Sequence, residues 1–186
     1  MKFLRSQFVF HEVKERSELI FVYLKISEEF DLSNGIFGNL LSTRDKFLNY
    51  TLRDNVLPYL CYYCGKPVGF ITLDTFEGKS ARVHFFTFDS SRLMRIKGGR
   101  EFIGRLLHMK RDGEYWLDAL YGVIPKSNTM AFKYASILGL RWLIEAPALH
   151  YNNETGKSES SMVGYINREV YYEFTGQRIT DFNWML

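Results

Sequence analysis

Only two cysteines and four prolines occur among the 186 residues, no charge sign dominates, and no apolar run approaches the roughly 20 residues that span a bilayer. A membrane partner is therefore not expected. The start, Met1-Lys2-Phe3-Leu4-Arg5-Ser6-Gln7, meets charged and polar groups before a continuous apolar stretch forms, which is unlike a secretory signal and favours a cytoplasmic setting. The two cysteines form Cys61-Tyr62-Tyr63-Cys64. In an extended segment a spacing of three puts such side chains on opposite faces, and no second Cys pair or His cluster supplies further zinc ligands. Buried or half-buried free thiols at a strand end, and no metal, are the expectation.

What is present points to a packed core. Hydrophobic residues make up 46% of the chain and aromatics 17%, far too much apolar material for a disordered segment. The length fits one domain over residues 1–186, with a core at about 8–166 and an aromatic tail at 167–186 that carries Tyr171, Tyr172, Phe174, Phe182 and Trp184. The net charge of +3 is too small to argue for a polyanionic partner. Arg92, Arg95, Lys97, Arg100, Arg105, Lys110 and Arg111 cluster in one twenty-residue stretch, opposed there by Glu101 and otherwise unbalanced. Such a cluster is either a solvated helix face or an anion-binding patch. Nucleic acid is not the expected ligand, because no recognition signature accompanies the charge.

The patterns alternate between strand and helix. Phe8 to Val13 reads as a first strand. Lys14 to Phe30 has a period of 3.6, with Leu19, Tyr23, Ile26 and Phe30 on one face, and a shorter helix follows from about Thr43 to Arg53. Leu57–Cys64, Val68–Phe76 and Ala81–Phe88 are strand-like runs separated by Gly-Lys-Pro and Glu-Gly-Lys, as antiparallel hairpins require. A helix is predicted from about Gly98 to Lys110, a strand over Tyr115–Val123, and a helix carrying Met130, Ala131, Tyr134 and Leu138 that stops at Gly139. Leu140–Glu145 and Ser160–Ile166 read as two last strands, with a long surface loop from Tyr151 to Ser160 between them. The class is mixed α/β: a mostly antiparallel, partly parallel sheet of about seven strands with about four helices.

Two junctions carry chemistry. After the strand ending near Phe88, the loop Arg95-Ile96-Lys97-Gly98-Gly99-Arg100 leads into a helix. A helix start offers unpaired N–H groups and partial positive charge, glycines let backbone approach a phosphate closely, and Arg or Lys adds charge-assisted bonds. Glycines that merely turn the chain are the alternative. At the second junction, Pro125-Lys126-Ser127-Asn128 opens a helix whose first turn holds an Asn. The chain has no Gly-x-Ser-x-Gly elbow, no paired His at metal spacing and no P-loop, which disfavours serine hydrolases, zinc enzymes and nucleotide kinases.

These junctions and the element order, from about Phe8 to Tyr165, resemble the GNAT superfamily of acyl-CoA-dependent N-acyltransferases. Its pyrophosphate signature is Arg or Gln, two residues, Gly, one residue, then Gly or Ala; Arg95 and Gly98 match, and Arg100 stands at the last position with Gly99 beside it. The resemblance implies acetyl-CoA as co-substrate, its pyrophosphate wrapped by the N–H groups of Lys97, Gly98, Gly99 and Arg100. On the following helix Asn128, Ala131 and Gly139 match the family pattern, Leu140 replaces the usual Phe, and Ala135 occupies the place of the Tyr that protonates the departing thiolate. Tyr134, one residue earlier, is a candidate for that role or a core aromatic. The chemistry also calls for a base to neutralise the amine. His84 and Glu77 are candidates by location, their alternatives being a hydrogen-bonded strand histidine and a polar turn residue.

The expected activity is acetyl transfer to a primary amine on a small molecule or protein. The competing reading is a non-catalytic structural or interaction protein of the same fold, such as bacteriophages also encode. The resemblance puts the acceptor between the first two helices and the last two strands, where Glu28, Glu29 or Asp31 attracts a cation or simply solvates a helix end. Homo-oligomerisation through the aromatic tail remains open.

Overall fold

The computed structural model describes residues 7–29, 42–88, 92–152 and 155–176. Phe30, Asp31, Phe182 and Trp184, named above, lie outside them. The chain forms two compact units, residues 1–73 with 84–98, and residues 74–83 with 99–186.

In the first unit β1 (Phe8–Glu12) is followed by α1 (Arg16–Glu29) and α2 (Arg44–Thr51). Leu19, Val22 and Ile26 recur at helical spacing and form the buried stripe of α1. Val22 takes the place expected for Tyr23, which packs beside the core only partly buried. Thr43 caps α2, its hydroxyl accepting from the N–H of Lys46 at 3.3 Å. Next come β2 (Leu57–Tyr63), β3 (Lys66–Glu77) and β4 (Ser80–Thr87). The β2–β3 hairpin turns on Cys64 and Gly65, both left-handed at φ 48° and 77°, as a two-residue turn between twisted strands requires. This leaves Cys61 buried within β2, as expected, but the Cys64 side chain exposed, which corrects the expectation because Cys64 is a turn residue and not a strand residue. The core of the unit joins Leu19, Ile26, Phe47, Leu60, Phe70 and Phe86. The Phe47 and Phe86 rings sit 5.8 and 6.4 Å from that of Phe70. Each such side chain contributes about 1.5–3 kcal/mol on burial.

The second unit continues from α3 (Arg92–His108), which begins in the first, through β5 (Lys110–Arg111), β6 (Glu114–Tyr115), β7 (Ala119–Pro125), α4 (Thr129–Leu138), β8 (Arg141–Asn152), β9 (Lys157–Asn167) and α5 (Arg168–Thr175). Asn128 and Asn167 cap α4 and α5, accepting from the N–H groups of Ala131 and Val170 at 3.0 and 2.8 Å. Gly139 ends α4 at φ 99°, with Leu140 N–H donating to Ala135 O at 3.1 Å.

Seven strands form one mixed sheet in the order β1-β2-β3-β4-β7-β9-β8, while β5 and β6 make a separate ribbon. The pairs β1·β2, β2·β3, β7·β9 and β8·β9 are antiparallel and β4·β7 is parallel. The predicted α/β class and strand number are met, with five helices among the described residues where about four were expected.

Three expected boundaries are corrected. α3 starts at Arg92, six residues before Gly98. The run from Tyr115 splits, because Lys110–Tyr115 folds into its own hairpin and β7 starts at Ala119. The long loop expected from Tyr151 to Ser160 is cut short, because β8 and β9 both extend into it and pair Asn152 with Lys157.

Candidate functional site

The glycine pair lies well inside α3. Since the helix already runs from Arg92, the N–H groups of Lys97, Gly98, Gly99 and Arg100 lie inside it, where α-helical N–H groups bond carbonyls four residues upstream. They form no nest in front of a helix, which corrects the expectation from the Gly-Gly pair. Arg95, at the end of the first turn, and Lys97, on the second, are exposed. The two glycines serve close packing. A Cβ on Gly98 would stand 2.9 Å from the Phe8 ring, and one on Gly99 would stand 2.7 Å from the Tyr134 hydroxyl oxygen and 2.8 Å from Leu138 Cδ2. Glycine in a helix interior costs about 1 kcal/mol relative to alanine, and here it lets neighbours approach where a methyl would collide.

Arg100 and Asn128 are both engaged with α4. The Arg100 guanidinium donates from Nε and Nη2 to Ile137 O and lies 4.8 Å from the centre of the Phe174 ring. The Asn128 side chain caps the helix entry. Tyr134 is half-buried with its hydroxyl over Gly99, and Ala135, at the expected tyrosine position, is buried.

Sequence reasoning missed a polar cluster at the base of β3, β4 and β7. Asp74, only 4% exposed, accepts from Arg82 Nε and Nη2 at 2.7 and 2.9 Å in a bidentate pair. The next residue, Thr75, has φ 47°, and its carbonyl oxygen accepts from the Tyr121 phenol at 3.0 Å. Burial first, and then the charge of Glu77, hold that phenol above its ordinary 10.0, while Arg82 acts in the opposite sense. Glu77 itself is exposed at the last position of β3. His84, in the first unit, is half-buried on β4. The available signal was a charged residue in each of two adjoining strand-like runs, Asp74 in one and Arg82 in the next.

Tyr121 also marks a change in the sheet. Among the described residues β7 pairs with β4 at three positions, Ala119, Leu120 and Tyr121, yet with β9 along its whole length to Pro125. From Gly122 onward one edge of β7 has no ladder partner on β4. A parallel strand whose ladder stops midway leaves peptide groups that require other partners.

The chain adopts the GNAT fold. Solved structures with this fold superpose over most of their length. A spermidine N-acetyltransferase from Vibrio cholerae in complex with coenzyme A and spermine has a TM-score of 0.64 at 12% identity, covering 89% of this chain and 98% of its own. RimL, a ribosomal-protein alpha-N-acetyltransferase in complex with coenzyme A, has a TM-score of 0.66 at 11% identity, covering 88% and 96%. A dodecameric form of the Vibrio cholerae enzyme gives 0.64 at 11%, covering 91% and 98%. No family model and no curated protein matches the sequence. The shared GNAT fold is thus carried by topology and packing at identities where few side chains coincide. Among the described residues no helix is long and apolar enough to cross a membrane, and no three His, Cys, Asp or Glu side chains converge as metal ligands would.

Proposed function

We propose that this chain is an acyl-CoA-dependent N-acyltransferase that moves an acetyl group from acetyl-CoA to a primary amine. The observation that supports the reading best is the edge of β7 from Gly122 to Pro125, which lacks a ladder partner on β4 in a chain of GNAT fold. Its peptide groups suit an extended ligand that itself carries amides, as the pantetheine arm of coenzyme A does. Arg95 and Lys97, both exposed on α3, are the cations proposed for an anionic group of the ligand. Gly98, Gly99, Arg100 and Asn128, proposed from the sequence for the same ligand, serve packing and capping here.

Acetyl-CoA supplies an activated thioester carbonyl. The protein must take a proton from the amine so that nitrogen presents a lone pair, and Glu77 and His84 are the groups proposed for that task. Tyr134 is the group proposed to return a proton to sulfur. The acceptor is a small-molecule amine or a protein N-terminus, the two kinds of substrate that the names of the structural neighbours describe.

Calorimetry with coenzyme A, followed by mass spectrometry of acetyl-CoA mixed with polyamines and N-terminal peptides, tests the reading. Binding and acetylated product are expected. Absence of heat up to millimolar coenzyme A would sink it. With turnover in hand, Glu77→Gln and His84→Ala separate the two candidate bases through the acid limb of the pH–rate profile.

A further inference from the structure

Arg82, Tyr121 and Tyr165 stand in one row across the sheet, because Tyr121 on β7 is the register partner of Arg82 on β4 and of Tyr165 on β9. Residues opposite one another on paired strands share a face. This face is the accessible one. Leu120 and Ile166, adjacent along each strand and directed to the other face, are fully buried, whereas both tyrosines are half-buried. Among the described residues the Arg82·Tyr121 rung is also the last between β4 and β7, so Tyr121 marks the closed end of the β7 edge that runs on from Gly122 to Pro125 without a partner on β4.

The surroundings hold the Tyr121 oxygen in one hydrogen-bonding state. Its O–H donates to Thr75 O at 3.0 Å. Thr75 sits at φ 47°, a left-handed conformation that β-branched residues rarely adopt, and its own hydroxyl donates to Asp74 Oδ1 at 3.2 Å. Asp74 in turn is gripped by the Nε and Nη2 of Arg82. A phenol has a single proton to give, and here Thr75 receives it, so the oxygen offers a ligand only its lone pairs. What meets it must donate. After burial, the influences on this phenol are the charges of Glu77 and Asp74 against that of Arg82, and the carboxylates prevail. A ligand carboxylate or phosphate would therefore find at this oxygen neither a donor nor a favourable field. A primary ammonium brings N–H donors and the matching charge, and tyrosine rings attract cations through their faces.

We propose that the Tyr121 hydroxyl oxygen accepts an N–H hydrogen bond from the acceptor amine and so sets that amine at the closed end of the β7 edge, with Tyr165 beside its alkyl chain. This rests on the acyltransferase reading and gives Tyr121 a positioning role, in which it takes no proton. The test is an NMR titration of the full chain loaded with coenzyme A, using two probes: butylamine, a primary ammonium at neutral pH, and butyltrimethylammonium, which carries the charge without an N–H. Tyr121→Phe is expected to weaken butylamine about tenfold, the effect of one hydrogen bond to a charged group, while butyltrimethylammonium and coenzyme A bind as they do to the parent. Equal weakening of both probes would reduce Tyr121 to a structural tie on Thr75 and overturn the proposal. Unchanged affinity for butylamine, or no binding of it to the loaded parent, would do the same. Should the variant not fold, the parent decides through its own preference: butylamine is expected to bind about tenfold more tightly than butyltrimethylammonium, and equal affinities overturn the assignment. Failure of the parent to bind coenzyme A is a separate result, which rejects the acyltransferase reading and this proposal with it.

Discussion

Arg100 donates from Nε and Nη2 to the carbonyl oxygen of Ile137, at 3.2 and 2.8 Å. That carbonyl belongs to the last turn of α4, where oxygens lack helical partners and the macrodipole is negative. The charge of Arg100 therefore serves the fold before it serves any ligand. Arg100→Ala is expected to lower stability by about 1.5–3 kcal/mol, the range for hydrogen bonds to charged groups. Arg100→Lys should recover only part, because an ammonium cannot reproduce the fork. Urea denaturation checks both, and loss of coenzyme A binding in a variant of unaltered stability would contradict the assignment.

Gly99 offers a second test of packing against phosphate binding. A methyl there meets the Tyr134 hydroxyl at 2.7 Å and Leu138 at 2.8 Å, so Gly99→Ala is expected to destabilise by about 1–3 kcal/mol despite alanine's better helix propensity. Removing the hydroxyl with Tyr134→Phe should relieve part of the loss, and a double-mutant cycle in urea measures the coupling. Strict additivity of the two changes would show that the glycine is not held by this contact.

Much of the fold was legible in residue order. Hairpins at Gly65 and Gly78, the Asn128 cap and the Gly139 stop follow from local chemistry, and each stands where the sequence puts it. The start of α3 was not legible. Gly98-Gly99 reads locally as a break, and what overrides it is tertiary, since Phe8 and Tyr134 come from remote segments to fill the space those glycines leave. The Asp74–Arg82 pair was hidden for the same reason, because nothing local says that two charges eight residues apart will face each other across a hairpin.

That pair should be expensive to break. Asp74 has a side chain 5% exposed and Arg82 one of 32%, so Asp74→Asn leaves a partly buried guanidinium short of its counter-ion. A loss of about 3 kcal/mol is expected, at the lower end for buried pairs because Arg82 retains some solvent. Replacing both by Met and Leu should cost less than Asp74→Asn alone. Thermal and urea unfolding of the three variants decide it, and a double variant worse than the single would reject the desolvation account.

Tyr171 makes stability depend on alkaline pH. The residue is 3% exposed, its ring centre 6.1 Å from that of His108, and burial, followed by the charge of Glu101, pushes its phenol above the ordinary 10.0. The unfolded chain releases this proton near 10.0, whereas the folded chain retains it to higher pH. Above pH 10 the native state therefore binds more protons than the unfolded state, and stability falls as pH rises, while below that value the phenol contributes no slope. Tyr171→Phe removes the group, so its melting temperature should decline less steeply between pH 10 and 11 than that of the parent. A residual slope is expected from Tyr121 and Tyr62, whose phenols are also raised by burial. Parallel curves for parent and variant through pH 11 would show that Tyr171 ionises as freely in the folded protein as in the unfolded one.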